Sequence, residues 1–534
     1  MTDPHDKYRV HREIVEALLN STEPLSRGTV NRIKNRVCAK YHCEKTPSNA
    51  DILGATVPEE TDLLRPLLQK RPVRTVSGVA VVAAMTRPYG CPHGKCAYCP
   101  GGPEQGVPQS YTGYEPATMR GIQNDFDPYR QVESRLRQLK NIGHSINKVE
   151  LIVMGGDWCS KPREYQQFFV KGCLDAMNGA VSDNLETSMK LNETAAVRDV
   201  GLTFETRPDW VTRESVDAML EMGATRVEIG VQTLSDKILT LVERGHGVDA
   251  TVRATKLLRD SGLKVCYHMM PGLPGATPED DIETFKQLFS DSRFRPDMLK
   301  IYPTIVVKHT KLYEWWQAGK YTPYTNEQVV SVISAAVSSM PEYVRIQRMQ
   351  RDIPLHQIEA GLNQGNLREL VDQQMRVAGL RDPTIRHREI GHFQMRSDEL
   401  IDPDNIRLVR RDYDASDGKE IFVSFEDPNL DVLFGFIRLR VPSKEAHRPE
   451  TVESPSVIIR ELRVYGPVVD IGHRDADAWQ HLGLGEKMIA AAEEIARTEF
   501  DVSQILVNSG IGVKEYYRGL GFVDRGPYLL KKST

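Results

Sequence analysis

Short apolar segments alternate with longer amphipathic segments of helical period between residues 76 and 305. The apolar segments are residues 77–86, 148–155, 201–206, 225–232, 263–270 and 298–304. Continuous apolar segments of this length are typical of strands buried on both faces, as in a parallel sheet covered by helices. The sequence therefore predicts an α/β fold with six parallel strands in residues 76–305.

Chemically unusual residues follow these predicted strands at their carboxyl ends. They are the cysteines of residues 91–99, the sequence Gly-Gly-Asp at 155–157, and residues 205–208, 230–232, 268–275 and 302–304. In a barrel of βα units the carboxyl ends of the strands converge on one face, where active sites form. Six such units predict a partial barrel, open enough for a large substrate.

Cys91, Cys96 and Cys99 lie within nine residues, in a chain that has only 8 cysteines in 534 residues. So few cysteines argue against a disulfide framework. Three thiolates on one loop can bind three irons of a [4Fe-4S] cluster and leave the fourth iron open, which could chelate S-adenosylmethionine. On the motif alone, zinc with His93 as a fourth ligand is the alternative.

Residues 396–534 have a different pattern, with predicted strands at 420–425, 430–439, 456–465 and 504–508 and a helix that begins near Gly485. This is an α+β pattern with its own core. The glycines of residues 480–485 open that helix, where backbone N–H groups and the helix dipole favour a pyrophosphate. A tight loop without a ligand is the alternative for these glycines.

Residues 1–75 are predicted to be helical and locally basic, and residues 306–395 to be a mostly helical connecting region. Because the formal net charge is −4, a nucleic-acid surface must be a local patch. The densest patch contains Arg27, Arg32, Lys34, Arg36 and Lys40. A solvated basic face is the alternative for this patch.

No apolar segment approaches the ~20 residues of a membrane span, and the amino terminus carries charges where a signal peptide is apolar. The sequence therefore predicts a cytoplasmic location without membrane association.

The cysteine loop after the first strand resembles that of the radical S-adenosylmethionine superfamily, with one more residue in its first spacing. This resemblance implies that Gly155 and Gly156 contact the methionine amine, although two glycines after a strand form a simple turn in most proteins. The order of strand, glycine loop, helix and the sequence KEYYRGLGF at 514–522 resembles a GNAT acetyltransferase. That resemblance implies that Tyr517 faces the thioester sulfur and protonates the leaving thiolate, with core packing as the alternative.

The whole chain resembles the Elongator catalytic subunit family of archaeal or bacterial type, in segments such as CAYCPGGP, HMMPGLPG and SGIGVKEYYRGLGF. The resemblance implies a tRNA acetyltransferase that uses acetyl-CoA and an S-adenosyl-L-methionine-derived radical to form 5-carboxymethyluridine at the wobble uridine. It implies a cluster on Cys91, Cys96 and Cys99. The implied acetyl-CoA contacts are Lys148, Glu461, Leu462, Arg463, Val464, Leu484, Gly485, Glu486 and Tyr517, of which Lys148 and Tyr517 are the candidate catalytic residues.

Two other functions stay open at this point: a protein lysine acetyltransferase with a structural cluster, and a non-enzymatic tRNA-binding scaffold. The chain also departs from the family at three places. Asp157 stands where close relatives commonly have Thr, Arg463 replaces a frequent His, and residues 381–389 contain no cysteine. We therefore expect no zinc in the connecting region. The sequence leaves open the oligomeric state, with a homodimer as one option, and the path of the acetyl group.

Overall fold

The computed structural model describes residues 4–43, 45–69, 75–397, 399–466, 483–502 and 504–532. Four helices form an amino-terminal unit: α1 (Pro4–Leu19), α2 (Arg27–Lys40), α3 (Asn49–Leu53) and α4 (Pro58–Leu68). Their apolar faces meet in a small core that includes Ile14, Ile33 and Ile52. The described part of residues 1–75 is thus helical, and the helices are held together by one shared core.

The basic face of α2 differs in one residue from the sequence prediction. Arg32 and Arg36 are exposed, and Arg32 forms an ion pair with Glu23. Lys34 is only 7 % exposed, and its Nζ donates a hydrogen bond to Oδ1 of Asn49 at 3.1 Å. Lys34 is therefore not part of the exposed basic face, because its side chain is buried and turned towards Asn49 of α3. The tRNA contacts of α2 stay a prediction. The side chain of Arg27 lies outside the described residues.

Seven parallel strands form the central sheet, in the order β1-β2-β3-β4-β5-β6-β8. They are β1 (Ala80–Met85), β2 (Lys148–Met154), β3 (Arg198–Thr206), β4 (Ala224–Gln232), β5 (Lys264–Met269), β6 (Met298–Ile301) and β8 (Arg345–Arg348). The first six are the predicted strands. Strand β8 was missed because its sequence, RIQR, contains a single apolar residue, and it lies in the region predicted to be mostly helical. Among the described strands β1 and β8 are the two edges, so the barrel is open.

Helices cover the outer face of this sheet, and β7 (Ile305–Val307) and β9 (Ile358–Gly361) form a small antiparallel sheet beside it. The helices are α5 (Pro116–Gln123), α6 (Pro128–Asn141), α7 (Arg163–Asn178), α8 (Leu185–Asn192), α9 (Arg213–Glu221), α10 (Asp236–Leu241), α11 (Val248–Asp260), α12 (Pro278–Ser290), α13 (Lys311–Gln317), α14 (Asn326–Ser338), α15 (Leu367–Val377), α16 (Ile385–Arg388) and α17 (Ile390–Gln394). Side chains such as Phe169 and Leu258 pack onto the strands from outside. None of the helices in the described parts of the chain is long and apolar enough to cross a membrane.

A second sheet has the order β10-β11-β12-β13-β14-β16-β15. Its strands are β10 (Arg407–Ala415), β11 (Gly418–Asp427), β12 (Val432–Val441), β13 (Val457–Val464), β14 (Gln504–Val507), β15 (Val523–Arg525) and β16 (Tyr528–Lys532), with helices α18 (Pro449–Val452), α19 (Leu484–Glu499) and α20 (Lys514–Gly519). Only β13 and β14 pair in parallel. Strands β10, β15 and β16 were not predicted, because β10 is a polar edge strand and the other two are short.

Strands β13 and β14 diverge. They pair over residues 457–459 and 505–507, and the backbone N–H of Asn508 still donates to the carbonyl of Ile459 at 3.1 Å. Farther along β13, residues 461–464 pair with β12 alone among the described strands. Among the described strands, residues 461–464 of β13 therefore have β12 as their neighbour, beyond the point where β14 diverges.

The interface between the two sheets contains a network of buried charges. Asp297, which precedes β6, accepts hydrogen bonds from Arg460 of β13 at 2.7 and 2.8 Å. Its Oδ1 also lies 3.7 Å from Arg259 and 3.6 Å from Arg438. Glu420 of β11 pairs with Arg259 at 2.9 Å and with Arg460 at 2.6 Å. All five side chains are at most 1 % exposed. Because a buried charge without its partner is costly, this network restricts how the two sheets can be oriented.

We expect Asp297→Asn to lower the free energy of unfolding at pH 7 by about 3–5 kcal/mol, because it leaves buried guanidinium groups uncompensated. Burial opposes ionisation of Asp297, but Arg460 and Arg259 outweigh it and lower its pKa. A carboxyl whose pKa is lower in the folded chain stabilises the fold above its unfolded pKa of about 3.9 and loses this effect as the pH falls. Urea unfolding at pH 7, 5, 4 and 3 should therefore show a difference from wild type that shrinks below about pH 4.

The exposed residue Asp183 provides the control. Asp183→Asn should leave the unfolding midpoint unchanged at each pH. A difference between Asp297→Asn and wild type that stays constant from pH 7 to pH 3 would contradict the assigned role of Asp297.

Candidate active site

One cavity lies at the carboxyl ends of the parallel strands. Its lining includes Cys91, Gly156, Asp157, Glu205, Thr206, Arg207, Glu228, Gly230, Gln232, His268, Tyr302, Arg348 and Arg351. Residues that follow β1, β2, β3, β4, β5 and β6 all contribute, because the carboxyl ends of parallel strands meet at one face. The structure thus brings together the groups that the sequence placed after separate strands.

The cysteine loop is held by backbone hydrogen bonds to other segments. Cys96 and Cys99 are 7 % and 5 % exposed, and Cys91 is half-buried. Between them, Ala97 donates its N–H to the carbonyl of Val242 at 2.9 Å and accepts from the N–H of Leu312 at 2.8 Å. Burial raises the pKa of the Cys91 thiol to about 11 and also raises that of Cys99. The three thiols therefore sit on a loop whose backbone position is set by the barrel.

The three thiols do not form a compact ligand set as they stand. Sulfur ligands of a tetrahedral zinc, at about 2.3 Å from the metal, lie roughly 3.8 Å from one another. Within the described residues, one trio of Cys, His, Asp or Glu has ligand atoms that all lie within 4.8 Å of one another, and it contains no cysteine. A cluster, which binds each thiolate to a different iron, does not require so close a group of sulfurs.

His93, the alternative fourth ligand for zinc, is engaged elsewhere. Its Nε2 accepts a hydrogen bond from Nη1 of Arg207 at 2.9 Å. Burial, with Arg207 and Arg244 nearby, lowers the pKa of His93 to about 4, so the ring is neutral at pH 7. The lone pair that could bind a metal is therefore occupied by a guanidinium group.

The trio with close ligand atoms is Glu205, Glu228 and His268. The ammonium of Lys300 already lies between the two carboxylates, 3.0 Å from Oε1 of Glu205 and in contact with Glu228. His268 Nε2 lies 2.8 Å from Oε2 of Glu228. A lysine thus supplies the positive charge that a metal ion would supply at these carboxylates.

Gly155 and Gly156 form a strained turn after β2, with φ values of 119° and 81°. A side chain on Gly155 would collide with the hydroxyl of Thr86, whereas Gly156 faces the cavity. Lys161 holds this turn, because its Nζ donates to the carbonyls of Gly155 at 3.0 Å and of Asp157 at 2.8 Å. Burial lowers the pKa of Lys161 to about 8.

Asp157 contributes an unusual acceptor to the cavity. One carboxylate oxygen accepts a hydrogen bond from the hydroxyl of Thr206. The other, Oδ2, is buried without a hydrogen-bond partner, although the residue lines the cavity. A buried carboxylate oxygen with no donor is costly, so this atom fits a ligand that brings a donor, such as the ammonium of an amino acid.

The second group of predicted residues lies around the carboxyl end of β13. Glu461, Leu462, Arg463 and Val464 form that end of the strand, and Leu484, Gly485 and Glu486 begin α19. A Cβ on Gly485 would lie 2.8 Å from the hydroxyl of Tyr516 and 4.0 Å from Leu462. The structure thus places the start of α19, the edge of β13 and α20 side by side. Residues 480–482 of the glycine-containing loop lie outside the described residues.

Tyr517 is buried at 5 % exposure between Tyr516 and Phe522, whose ring centroids are 5.3 and 5.6 Å away. Burial and, to a lesser degree, Tyr516 raise the pKa of Tyr517, so its hydroxyl is protonated at neutral pH. The residue can therefore act as a hydrogen-bond donor or a general acid.

Lys148 begins β2, at the opposite end of the barrel from the cysteines. It pairs in register with Arg198 of β3. The loop that leads to α20 packs on this end. Gly510 and Gly512 lie so close to Val200 and Arg198, respectively, that a side chain at either glycine would collide with them. The predicted residues therefore form two groups, one at each end of the barrel.

A chain of ion pairs runs through the barrel between these two ends. Arg463 lies 3.8 Å from Glu150, Glu150 contacts Arg226, Arg226 lies 3.3 Å from Glu228, and Glu228 contacts Lys300 at the cavity. Burial opposes ionisation of Glu150, but Arg226 and Arg463 outweigh it and lower its pKa to about 2. Barrel interiors are usually filled by branched apolar side chains, so these charges are exceptional.

The sequence analysis missed Glu150, Arg226, Glu228 and Lys300 as parts of a site. The signal was present, because each is a charged residue inside a strand predicted to be buried on both faces, and charged residues are rarely buried without a partner. It missed Lys161 and Arg244 as well. Both donate hydrogen bonds to backbone carbonyls, and Arg244 also contacts a thiol. The fold brings these groups together from distant segments, so the sequence around each residue has no pattern that predicts the contact.

An open parallel barrel with three cysteines after its first strand is the architecture of a radical S-adenosylmethionine protein. The profile of the Radical SAM superfamily matches residues 85–288, that of the Radical_SAM C-terminal domain residues 296–377, and that of the ELP3 N-terminal domain residues 7–76.

Relatives that match over nearly their full length identify the family within this class. The chain is 47 % identical to the tRNA uridine(34) acetyltransferase of Methanocaldococcus infernus, covering 98 % of this chain and 100 % of the relative. It is 41 % identical to Elongator complex protein 3 of Homo sapiens, covering 97 % and 96 %. A solved structure of Methanocaldococcus infernus Elp3 that lacks residues 1–46 has a TM-score of 0.77 at 45 % identity, covering 86 % of this chain and 100 % of that one. The chain belongs to the family of tRNA uridine(34) acetyltransferases and Elongator complex protein 3.

Proposed function

We propose that this protein is a tRNA-modifying acyltransferase that uses acetyl-CoA and an S-adenosylmethionine-derived radical to form 5-carboxymethyluridine at the wobble uridine. The observation that carries the proposal is the presence, in one chain, of a three-thiol loop at one end of the barrel and of β13, the start of α19 and α20 side by side at the other. The names of the full-length relatives support the substrate.

At the cavity, Cys91, Cys96 and Cys99 would hold a [4Fe-4S] cluster, and the turn at Gly155 and Gly156 would hold the amino-acid part of S-adenosylmethionine. When bound, these two groups would supply the radical chemistry that the reaction requires. The unpartnered Oδ2 of Asp157 accepts from the ammonium group, and Lys161 keeps the carbonyls of the turn in place. A wobble uridine in an anticodon loop is unpaired and can enter such a cavity.

At the other end, β13 diverges from β14 after Ile459, and the pantetheine arm lies beside residues 461–464 of β13 in this divergence. Backbone N–H groups at Leu484, Gly485 and Glu486 face the pyrophosphate at the start of α19. Tyr517 donates its hydroxyl proton to the thiolate of coenzyme A, and Lys148 lies at the same end of the barrel. These roles make acetyl-CoA the second cofactor.

The exposed cations of α2 provide the first contact with tRNA phosphates. Arg32 and Lys40 now pair with Glu23 and Glu13 at the surface. Exposed ion pairs of this kind contribute about 0–1 kcal/mol, so phosphates can replace the carboxylates at little cost.

We expect anaerobic incubation of the iron-loaded protein with tRNA, acetyl-CoA, S-adenosylmethionine and a reductant to yield 5-carboxymethyluridine on nucleoside analysis. Cys96→Ala should abolish the product and the ~400 nm absorbance while the thermal unfolding midpoint stays near wild type, because the loop lies at the barrel rim. Cys43→Ala, in the amino-terminal unit, is the matched control and should retain both. Tightly bound zinc without iron, or acetylated protein without a modified nucleoside, would overturn the proposal.

Tyr517→Phe removes only the hydroxyl. We expect acetyl-CoA turnover to slow by roughly 10- to 1,000-fold, the range for loss of one general acid, with unchanged affinity for tRNA. Tyr129→Phe, in helix α6, should turn over at the wild-type rate. Unaltered turnover in Tyr517→Phe would show that another group protonates the thiolate.

The double variant Arg32→Ala/Arg36→Ala tests the tRNA surface. Each lost phosphate contact lowers the salt slope of log K by about 0.7–0.9, so we expect weaker tRNA binding and a slope reduced by about 1.5. Arg130→Ala/Arg137→Ala is the matched control, because both arginines are exposed and form surface ion pairs on α6. Wild-type tRNA affinity and salt slope in the α2 variant would contradict this assignment. The next candidates for the tRNA surface would then be Arg348 and Arg351 at the cavity.

A further inference from the structure

The cysteine thiols are surrounded by hydrogen-bond donors from other segments. Nη1 of Arg244, which follows α10, lies 3.6 Å from Sγ of Cys96. Nε2 of Gln109 donates to Sγ of Cys99 at 3.0 Å, and the hydroxyl of Ser110 lies 3.0 Å from the same sulfur. Two of the three sulfurs thus have donors placed by the protein itself.

The guanidinium of Arg244 is fixed in its position. Its Nη2 donates to the carbonyl of Gly230, at the end of β4, at 2.6 Å, and the side chain is fully enclosed at 7 % exposure. The carbonyl of Arg244 accepts from Nη1 of Arg207 at 2.9 Å, and Asp209 in turn holds Arg207 at 2.8 and 3.0 Å. A cation that is held this firmly cannot turn away when the charge on the sulfur changes.

The long first spacing of the cysteine motif takes part in this arrangement. Residues 92–95 bring His93 between Cys96 and Arg207, with Nε2 at 3.3 Å from the sulfur and 2.9 Å from the guanidinium. Gly245, next to Arg244, lies directly against the His93 ring. Residues 92–95 thus pack the cysteine loop against the segment that carries Arg244.

Reduction of an iron–sulfur cluster adds negative charge, which spreads onto the cysteine sulfurs. Hydrogen bonds and cations near these sulfurs stabilise the reduced form, and they act strongly because the site is buried. We propose that Arg244, assisted by Gln109, raises the reduction potential of the cluster held by Cys91, Cys96 and Cys99. This inference rests on the proposed function, and it assigns Arg244 a role in setting how readily the cluster accepts its electron.

The test is a redox titration of the anaerobically reconstituted protein without tRNA or acetyl-CoA. The electron paramagnetic resonance signal of the reduced cluster is measured at each potential. At the wild-type midpoint potential, Arg244→Met should decrease the ratio of reduced to oxidised cluster about tenfold, which corresponds to a 59 mV lower potential for one electron. Gln109→Leu should shift it in the same direction by less, because a neutral donor is lost. Arg213→Met, on the exposed start of α9, is the control and should titrate as wild type.

The outcomes separate this inference from the proposed function. A wild-type protein that binds no iron after reconstitution overturns both. A wild-type cluster together with an unshifted midpoint in Arg244→Met overturns the role of Arg244 alone. If Arg244→Met fails to hold iron, Arg244→Gln replaces it, because glutamine keeps a hydrogen-bond donor but removes the charge. A lowered midpoint potential is again expected. An unshifted midpoint potential would overturn the role of Arg244.

Discussion

The pairing of Asp297 with Arg460 and the surrounding arginines determines how the two halves of the molecule fit together. Asp297 belongs to the barrel and Arg460 to the second sheet, and both side chains are completely buried. Apolar contacts tolerate small shifts, whereas a buried guanidinium needs its acceptors within hydrogen-bond distance. The relative orientation of the sheets, and with it the position of β13 and α20 below the barrel, depends on this network.

This orientation places two chemical sites at opposite ends of one barrel. The strand β2 runs from Lys148 at one end to the Gly155 turn at the other, and its seven residues span ~20 Å. The interior between the ends is polar, because Glu150, Arg226 and Glu228 alternate in charge along it. Each charge needs its neighbour, since a missing partner would leave an ion in a medium of low polarity. These ion pairs therefore connect the residues of one site to those of the other through the barrel.

The cavity end shows how a buried carboxylate can be compensated locally. Asp157 brings a carboxylate into a buried turn. The hydroxyl of Thr206 and the nearby ammonium of Lys161 offset part of its charge, and one oxygen is left for a ligand.

The sequence by itself determined six of the seven described strands of the barrel, the loop with Cys91, Cys96 and Cys99, and the order of the units, because apolar period and residue spacing are local properties. Only the tertiary structure decided that Lys34 is buried, that β8 joins the sheet, and that Lys148 lies far from the cysteines but near the second sheet. It also decided that charges inside buried strands line up as ion pairs. These features depend on which distant segments pack together, and such pairing leaves no periodic trace in the sequence around each residue.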